Sequence, residues 1–382
     1  MRKCPLSYHN VEGRYDLTAL HRVHPKLTDL ADLPYASEEL RREARELADK
    51  LSIQGVQPKL SARLALKDQA MEVVERKGHY ILKPQNPEYP AVPENEDLTM
   101  HLAAAGGIEV PVHGLLYGVD GALTYFIQRF DRGPRDQKHP QEDFAQLLGE
   151  ERETKYGSSM ERVASTLEQF ATFPSVEAVA LLRLVLFNFL VGNEDHHLKN
   201  FSLLQEKAVV RLSPAYDLLN TTILVANSRE EIALPLKGKK RGLTRKDLLE
   251  YFAGERLQLP AAVVEKVLGQ LAEGLAVWPE LIARSFLSPE LQEAYLQLVE
   301  TRALRLGYTA LSLEDTQRDV LERPGLTAGS GGHQSYFRQL AKQRRDRRQL
   351  LTRDQGKTAR ERARESGGWQ DAYRVLAAGT AP

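Results

Sequence analysis

The chain has 382 residues, 42% of them hydrophobic and 27% charged, a composition that is typical of globular proteins and excludes a disordered or fibrous chain. Its 52 basic and 52 acidic residues cancel, which leaves no overall electrostatic attraction to nucleic acids or membranes. A single cysteine, Cys4, excludes an internal disulfide and a cysteine-based zinc cluster, and so indicates a reducing compartment. The N-terminus lacks the apolar run of a signal peptide, and Arg183 and Asn188 interrupt the longest apolar stretch. We therefore expect a cytoplasmic protein without a membrane span.

The first part of the chain predicts a small lobe of mainly antiparallel strands, because short apolar runs with a period of two alternate with turn residues. Asp120-Gly121 favours a hairpin turn between two of these runs. Residues 1–34 are polar and irregular. The predicted elements that follow are a helix at 38–50 capped by Ser37, a glycine-bearing loop at 51–59, strands at 60–66 and 80–83, a helix at 97–105 stopped by Gly106-Gly107, and strands at 112–117 and 123–129.

From Gln141 to about Leu306 the apolar spacing is chiefly helical. The segment Val176–Val191 is apolar on nearly every side, which predicts a buried helix. We therefore predict an α+β fold of two lobes, a small sheet lobe followed by a helical lobe. The predicted divisions are an N-terminal extension at 1–50, a sheet lobe at 51–135, a helical lobe at 136–310 and a flexible basic tail at 311–382.

A polar loop at 192–202 follows the predicted buried helix and precedes a strand at 209–212. Within it Asp195 and Asn200 stand five positions apart, the spacing by which a phosphoryl-transfer loop offers a carboxylate to the attacking hydroxyl and an amide oxygen to Mg²⁺. Asp217 would add the second hard oxygen ligand that this ion requires. We therefore predict that Asp195 is catalytic and that Asn200 and Asp217 bind the metal.

Lys83 ends a predicted strand and would place a fixed positive charge on the α- and β-phosphates of ATP. None of these features is specific alone, since Asp and Asn also cap turns and a strand-end lysine is often a surface residue. Their order along the chain is what favours phosphoryl transfer. Glu96 stays outside the predicted set, because acidic residues are favoured at helix N-termini in any case. His196 and His197 are interpreted as parts of the loop scaffold, since no third spaced ligand indicates zinc.

Five stretches of the sequence together resemble the HipA-like kinases, over roughly residues 50–310. They are Ser52–Lys59, Ile81–Pro84, Gln128–Arg132, Gly192–Ser202 and Leu212–Asp217. The resemblance is nearest to the short HipT-type toxins, because only about fifty residues precede the glycine-bearing loop. It implies a protein-kinase-like fold with ATP between the lobes. It also implies transfer of the γ-phosphoryl group to a serine or threonine of a cytosolic translation component, such as an aminoacyl-tRNA synthetase, and growth arrest as the result.

The resemblance implies a role for each matching residue. Asp195 would be the catalytic base, Asn200 and Asp217 would hold Mg²⁺, and Ser52 would be autophosphorylated in a loop that lies over ATP. A phosphate on Ser52 would add negative charge beside the nucleotide and expel the loop. Gln54 occupies the second serine position of many HipT-like loops, so one phosphosite is expected. The implied nucleotide-binding residues are Gln54, Gly55, Val56, Gln57, Pro58, Lys59, Lys83, Gln128, Arg129, Phe130, His197, Leu198, Lys199, Asn200, Tyr216 and Asp217, with Gln128 to Phe130 as the hinge beside adenine.

The resemblance also implies partners. The longer HipA proteins have an additional N-terminal subdomain, so a separate small antitoxin is expected to supply that piece and to act with a DNA-binding antitoxin. Two other functions remain open: a small-molecule kinase of the aminoglycoside or choline type, and an inactive nucleotide-binding regulator that contacts DNA through the basic tail. Residues 338–364 of that tail carry eleven basic and three acidic residues, but charged tails are more often solvated than bound to nucleic acid.

Overall fold

The computed structural model describes residues 2–50, 59–133, 137–150, 155–225 and 230–309. Ser52, the stretch from Gln54 to Pro58 and the basic tail lie outside these residues, so their predicted roles stay predictions. The strands are β1 (Arg2–Lys3), β2 (Asn10–Val11), β3 (Leu60–Ala65), β4 (Ala70–Val73), β5 (Tyr80–Lys83), β6 (His113–Tyr117), β7 (Leu123–Gln128), β8 (Gln141–Asp143), β9 (Ser202–Glu206) and β10 (Val209–Leu212). The α-helices are α1 (Leu17–Val23), α2 (Ser37–Lys50), α3 (Val92–Ala105), α4 (Phe144–Leu147), α5 (Met160–Phe170), α6 (Pro174–Val191), α7 (Ala261–Arg284) and α8 (Pro289–Leu306).

A five-stranded antiparallel sheet forms the first lobe, in the order β4-β3-β5-β7-β6. Its central strand β5 carries Lys83, which lies opposite Tyr125 of β7. The alternation of buried residues that predicted β3 and β5 is present, and β6 and β7 form the predicted hairpin around Gly121. The predicted antiparallel lobe is therefore confirmed. Strand β4 escaped prediction because its four residues have no clear alternation of apolar and polar side chains.

Helix α3 packs between this sheet and the helical lobe. Thirteen of its fourteen residues are buried, including charged ones, so it has no solvent-facing side. It is fastened to the helical lobe by hydrogen bonds: the Trp278 indole N–H donates to the Leu102 carbonyl over 3.0 Å, and the Thr99 and Tyr295 hydroxyls lie 2.9 Å apart. A helix held in this way has little freedom to move relative to either neighbour.

The second lobe is built around α6, which packs against α5, α7 and α8. Among the described residues α6 is the one helix long and apolar enough to cross a membrane by length and composition, and 67% of that window is buried inside the fold. A mostly buried helix at the centre of a protein core meets the same criterion of length and composition. A three-stranded sheet, β10-β9-β8, also lies in this chiefly helical region. Strand β10 is the strand predicted at 209–212, whereas β8 and β9 were not predicted. The α+β fold with two lobes is confirmed.

The N-terminal segment is more ordered than its polar sequence suggested, so the interpretation of residues 1–34 as irregular is wrong. Strands β1 and β2 pair, and helix α1 follows with Asp16 as its N-cap. Cys4 is fully buried, and its sulfur accepts a hydrogen bond from the Asp16 N–H over 3.2 Å. Within the described residues, Cys4 therefore joins the end of β1 to the residue that caps α1. The Tyr8 hydroxyl donates to Asp97 of α3 over 2.6 Å, which ties the segment to the helix.

Gly192 is required where α6 ends. Its φ of +72° lies in the left-handed region, and a Cβ there would approach Leu298 Cδ2 to 2.5 Å and Thr222 Oγ1 to 2.6 Å. Gly238 has a similar φ of +73° but open space around it. Both G192A and G238A should lose ~1–2 kcal/mol for the left-handed backbone. G192A should lose ~1–3 kcal/mol more through overpacking.

Urea denaturation of the two variants and the wild type measures this difference. Equal losses of unfolding free energy in G192A and G238A would show that the space around Gly192 is not constrained.

Candidate active site

Lys83 is the centre of a buried charge cluster. Its ammonium donates to Glu96 Oε1 over 2.6 Å and to Asp217 Oδ1. The Lys83 and Glu96 side chains are 8% and 3% exposed, whereas that of Asp217 is 42% exposed and opens toward solvent. Lys83 and Asp217, both predicted from the sequence, are therefore in direct contact. Glu96, which was left out of the predicted set, is the second partner of Lys83.

Burial and charge pairing act against each other in this cluster. Burial would lower the pKa of the Lys83 ammonium, but the Asp217 and Glu96 carboxylates outweigh it and hold the pKa above its ordinary value. Burial raises the pKa of Glu96 in spite of Lys83. Burial also acts to raise the pKa of Asp217, but Lys83 outweighs it, and that pKa lies below its ordinary range. Lys83 therefore stays a fixed cation and Asp217 an anion at neutral pH.

Helix α3 positions both sides of this cluster. Glu96 pairs with Lys83, while the preceding residue, Asn95, donates to the Asn220 carbonyl over 3.0 Å and accepts from the Asn220 N–H over 2.9 Å. The segment that carries Asp217 is thereby fixed to α3. Asp217 itself has a φ of +53°, an uncommon value for a residue other than glycine. A strained backbone of this kind persists only where the surroundings hold it, which is frequent at functional sites.

The loop that carries Asp195 is joined to the segment after Asp217. The N–H groups of Thr221 and Thr222 donate to the Gly192 carbonyl over 3.1 and 3.2 Å, and the Glu194 N–H donates to Thr221 Oγ1 over 2.8 Å. These bonds explain why the two predicted acidic residues lie in one site although twenty-one residues separate them. The relative position of Asp195 and Asp217 is therefore set by hydrogen bonds of the backbone and of the short Thr221 side chain.

Asn200 is oriented by the same loop. Its side-chain amide N–H donates to the Asp195 carbonyl over 2.9 Å, so its amide oxygen points away from that bond. An amide oxygen and a carboxylate are the hard donors that Mg²⁺ accepts, and Asp217 supplies the carboxylate. The donor chemistry of Asn200 and Asp217 therefore fits the metal ion expected from the sequence.

The Asp195 side chain is 54% exposed, and one of its oxygens accepts a hydrogen bond from the Tyr156 hydroxyl. Tyr156 was not predicted, because a single tyrosine in a polar segment belongs to no periodic pattern or motif. His197 is buried beside them, with its Nε2 4.0 Å from Asp195 Oδ1. Asp195 is thus open to solvent on one side and contacted by protein on the other.

The structure also describes local contacts of the other residues that are predicted to bind the nucleotide. The rings of Phe130 and Tyr216 lie 5.4 Å apart, and the Tyr216 hydroxyl donates to the Lys199 carbonyl over 2.8 Å. Lys59 is exposed, and its charge helps to lower the pKa of Asp217.

Arg129 donates to the two carboxylate oxygens of Asp131 over 3.0 and 2.9 Å. Gln128 and Leu198 are placed by backbone hydrogen bonds, through their N–H groups, to Val112 and Lys155. The nucleotide-binding roles of all these residues remain predictions.

A second cluster consists of Asp97 and His101 of α3 and His113 of β6. Their potential ligand atoms are all within 4.8 Å of one another, and all three residues are buried. One oxygen of Asp97 accepts from Tyr8 over 2.6 Å, and the other lies 2.8 Å from His113 Nδ1. Direct hydrogen bonds therefore engage both carboxylate oxygens, and we assign no ion to the cluster.

His196 makes the free energy of unfolding of the protein dependent on pH. It is 3% exposed, and burial lowers its pKa to about 3 from an ordinary value of 6.5. Between these values the unfolded chain binds a proton that the folded chain does not, so the free energy of unfolding falls as pH falls from 6.5 toward 3. His196→Leu should flatten this dependence by about 1.4 kcal/mol per pH unit.

Chemical denaturation of wild type and H196L at several values from pH 7 to pH 4 measures the two slopes. Identical slopes would mean that His196 can take up a proton in the folded protein.

The chain resembles known kinases in sequence. The chain is 30% identical over 253 residues to a Haemophilus influenzae protein named "Putative kinase", covering 62% of this chain and 71% of that protein. It is 27% identical over 298 residues to the serine/threonine-protein kinase toxin HipA of Shewanella oneidensis, covering 71% of this chain and 66% of the relative.

A solved structure of the Shewanella oneidensis toxin–antitoxin system, HipA with HipB and operator DNA, shares the fold. The TM-score is 0.56 at 21% identity, over 76% of this chain and 75% of the other. The family model for the HipA-like C-terminal domain matches residues 51–278, which include the charge cluster and both acidic loops. The chain therefore belongs to the family of HipA-like kinases.

Proposed function

We propose that this protein is a toxin-type serine/threonine kinase that transfers the γ-phosphoryl group of ATP, with Mg²⁺, to a cytosolic protein. The observation that supports this most is the contact of Lys83 with both Glu96 and Asp217, beside a loop that presents Asp195 to solvent. Phosphoryl transfer needs a fixed cation, a carboxylate that binds the metal and an accessible carboxylate beside the acceptor. Lys83, Asp217 and Asp195 are proposed for these roles. Kinase relatives imply the use of ATP.

Each of these residues has a distinct task in the proposed reaction. Lys83 neutralises negative charge on the nucleotide phosphates, and Glu96 holds its ammonium in place. Asn200 and Asp217 would hold Mg²⁺, which would neutralise the charge that develops on the transferred group. Asp195 orients the acceptor hydroxyl and takes its proton. The fold contributes mainly position, since phosphoryl transfer depends on alignment more than on covalent chemistry.

The acceptor and the partners are proposed from the relatives. A translation component such as an aminoacyl-tRNA synthetase is the proposed class of acceptor, in the cytoplasm. The Shewanella oneidensis HipA structure is a complex with HipB and operator DNA, which supports a DNA-binding antitoxin as a partner here. A small antitoxin that supplies an additional subdomain is part of the same proposal. Autophosphorylation is proposed at Ser52.

Labelled γ-phosphate from Mg-ATP tests the reaction directly. Wild-type protein should incorporate label from ATP at Ser52. It should also transfer label from ATP to a protein in a cell lysate. Asp195→Asn should reduce both rates by at least ~100-fold, the usual contribution of a general base. The variant should still bind ATP, because Asp195 contacts the acceptor side. Mass spectrometry maps the labelled residues, and Ser52→Ala separates autophosphorylation from transfer.

Two results would contradict the proposal. Transfer to an aminoglycoside or choline but to no protein would indicate a small-molecule kinase. ATP binding without transfer to any acceptor would indicate an inactive regulator, and DNA binding that is lost on deletion of residues 330–382 would then assign its action to the basic tail.

Glu96 provides a further test with a matched control on the same helix. Glu96→Gln removes the charge that holds Lys83, so the rate of transfer should fall by about tenfold, the effect of losing a charged hydrogen bond. Glu94, two residues earlier, bonds to Gln85 over 2.8 Å and not to Lys83. Glu94→Gln keeps a side-chain oxygen that can accept from Gln85 and leaves the partners of Lys83 unchanged, so the transfer rate should stay within about twofold of wild type.

Steady-state rates and thermal unfolding of both variants provide the measurement. A similar decrease in rate for E94Q and E96Q would indicate general damage to α3, not a loss of Lys83 positioning.

A further inference from the structure

Residues 155 and 156 lie directly on the loop that carries Asp195. The Lys155 carbonyl accepts a hydrogen bond from the Leu198 N–H over 3.4 Å. The Tyr156 ring meets His197 edge to face, with 5.1 Å between ring centroids. The Tyr156 hydroxyl donates to Asp195 Oδ1. Backbone, ring and hydroxyl therefore make three separate contacts with one short loop.

Among the described residues, Tyr156 is the side chain that hydrogen-bonds the Asp195 carboxylate. The nearby His197 does not replace it, because its Nε2 is 4.0 Å from Asp195 Oδ1. Burial lowers the pKa of His197, and the Lys155 ammonium adds to this effect although Asp195 opposes it, so the imidazole is neutral at neutral pH. The orientation of the carboxylate therefore depends on the tyrosine hydroxyl.

The surroundings of Tyr156 hold its ring in place. The Lys155 ammonium lies 4.9 Å from the ring centroid and the Lys240 ammonium 5.8 Å from it, both within the range of a cation–π contact. Tyr156 is 40% exposed and bonds to the half-exposed Asp195, so it borders the open side of that carboxylate. A side chain fixed in this way can hold one carboxylate oxygen and leave the other to a ligand.

We propose that Tyr156 is a positioning residue for phosphoryl transfer: it holds Oδ1 of Asp195 so that the second carboxylate oxygen faces the acceptor hydroxyl. This inference rests on the proposed kinase function and adds a residue to its acceptor side. The tyrosine keeps its own proton, since burial and the hydrogen bond to Asp195 raise its pKa above the ordinary value. It therefore acts through Asp195 and takes no part in the proton transfer itself.

Tyr156→Phe tests this role because it removes the hydroxyl and keeps the ring beside His197. The kcat for transfer to protein should fall by about tenfold, the effect of one lost charged hydrogen bond. The KM for ATP should be unchanged. In the Asp195→Asn background the same substitution should have no further effect on the residual rate, because the carboxylate that it orients is absent.

Tyr308→Phe is the matched control. The Tyr308 hydroxyl donates to the Leu268 carbonyl of α7 over 2.8 Å, away from Asp195. Its loss should lower the thermal unfolding temperature as much as Y156F or more, while the kcat stays at the wild-type value.

The outcomes separate the inference from the function on which it rests. Equal kcat for wild type and Y156F would overturn the positioning role and leave the kinase function intact. A higher kcat in Y156F would also overturn it, since the hydroxyl would then block the acceptor. Absence of transfer by the wild type would overturn both. A lower kcat with unchanged KM for ATP, seen in Y156F and not in Y308F, supports the role.

Discussion

The buried ammonium of Lys83 is the constraint from which much of this structure follows. An unpaired charge inside a protein is very costly, whereas a charge with close carboxylate partners can be tolerated. The partners here are Glu96 on α3 and Asp217, which is 134 positions away from Lys83 in the chain. The sheet, α3 and the segment after β10 must therefore meet at one point. A fold that failed to bring them together would leave this cation without compensation.

The rigidity of the acidic loops follows from the same meeting point. Asn95 joins α3 to the Asn220 backbone, and Thr222 donates to the Gly192 carbonyl. Glu194 accepts from the Thr222 hydroxyl over 2.7 Å and lies 3.8 Å from the buried Arg302 of α8. The two loops are consequently one hydrogen-bonded unit that rests on the helical lobe. Pre-organisation of this kind is what alignment-dependent chemistry requires.

Local patterns in the sequence predicted the parts of the fold that local forces determine. Strand β3 was found because apolar and polar residues alternate along it, and helix α6 was found because its residues are apolar on nearly every side. Strand β9 was missed, since its residues, Ser202 to Glu206, become a strand only by pairing with β8 and β10. Helix α1 was missed because its seven residues are too few to show a clear period.

The residues of the candidate site likewise fall into those that the sequence predicted and those that it did not. The order of Lys83, Asp195, Asn200 and Asp217 was informative because the chemistry restricts both residue type and spacing. Glu96 was ambiguous, as acidic residues are common at helix starts for an unrelated reason. Tyr156 contacts Asp195 across thirty-nine positions, and no sequence pattern encodes such a contact. Residues that act through another side chain are thus the ones that a single sequence conceals.

The burial of nearly all of α3 limits how the proposed kinase can be switched off. An outward movement of α3 would expose its thirteen buried residues. It would also break the hydrogen bonds that join Asn95, Thr99 and Leu102 to the helical lobe. An inhibitory protein that binds with nanomolar affinity has only about 12 kcal/mol of binding free energy to apply to such a change. Exposing Leu98, Met100 and Leu102 alone would cost ~1.5–3 kcal/mol each, so control by a displaced helix would consume much of that energy. The proposed role of Asp195 makes its exposed side the more accessible target for such an inhibitor, because covering it leaves the interior unchanged.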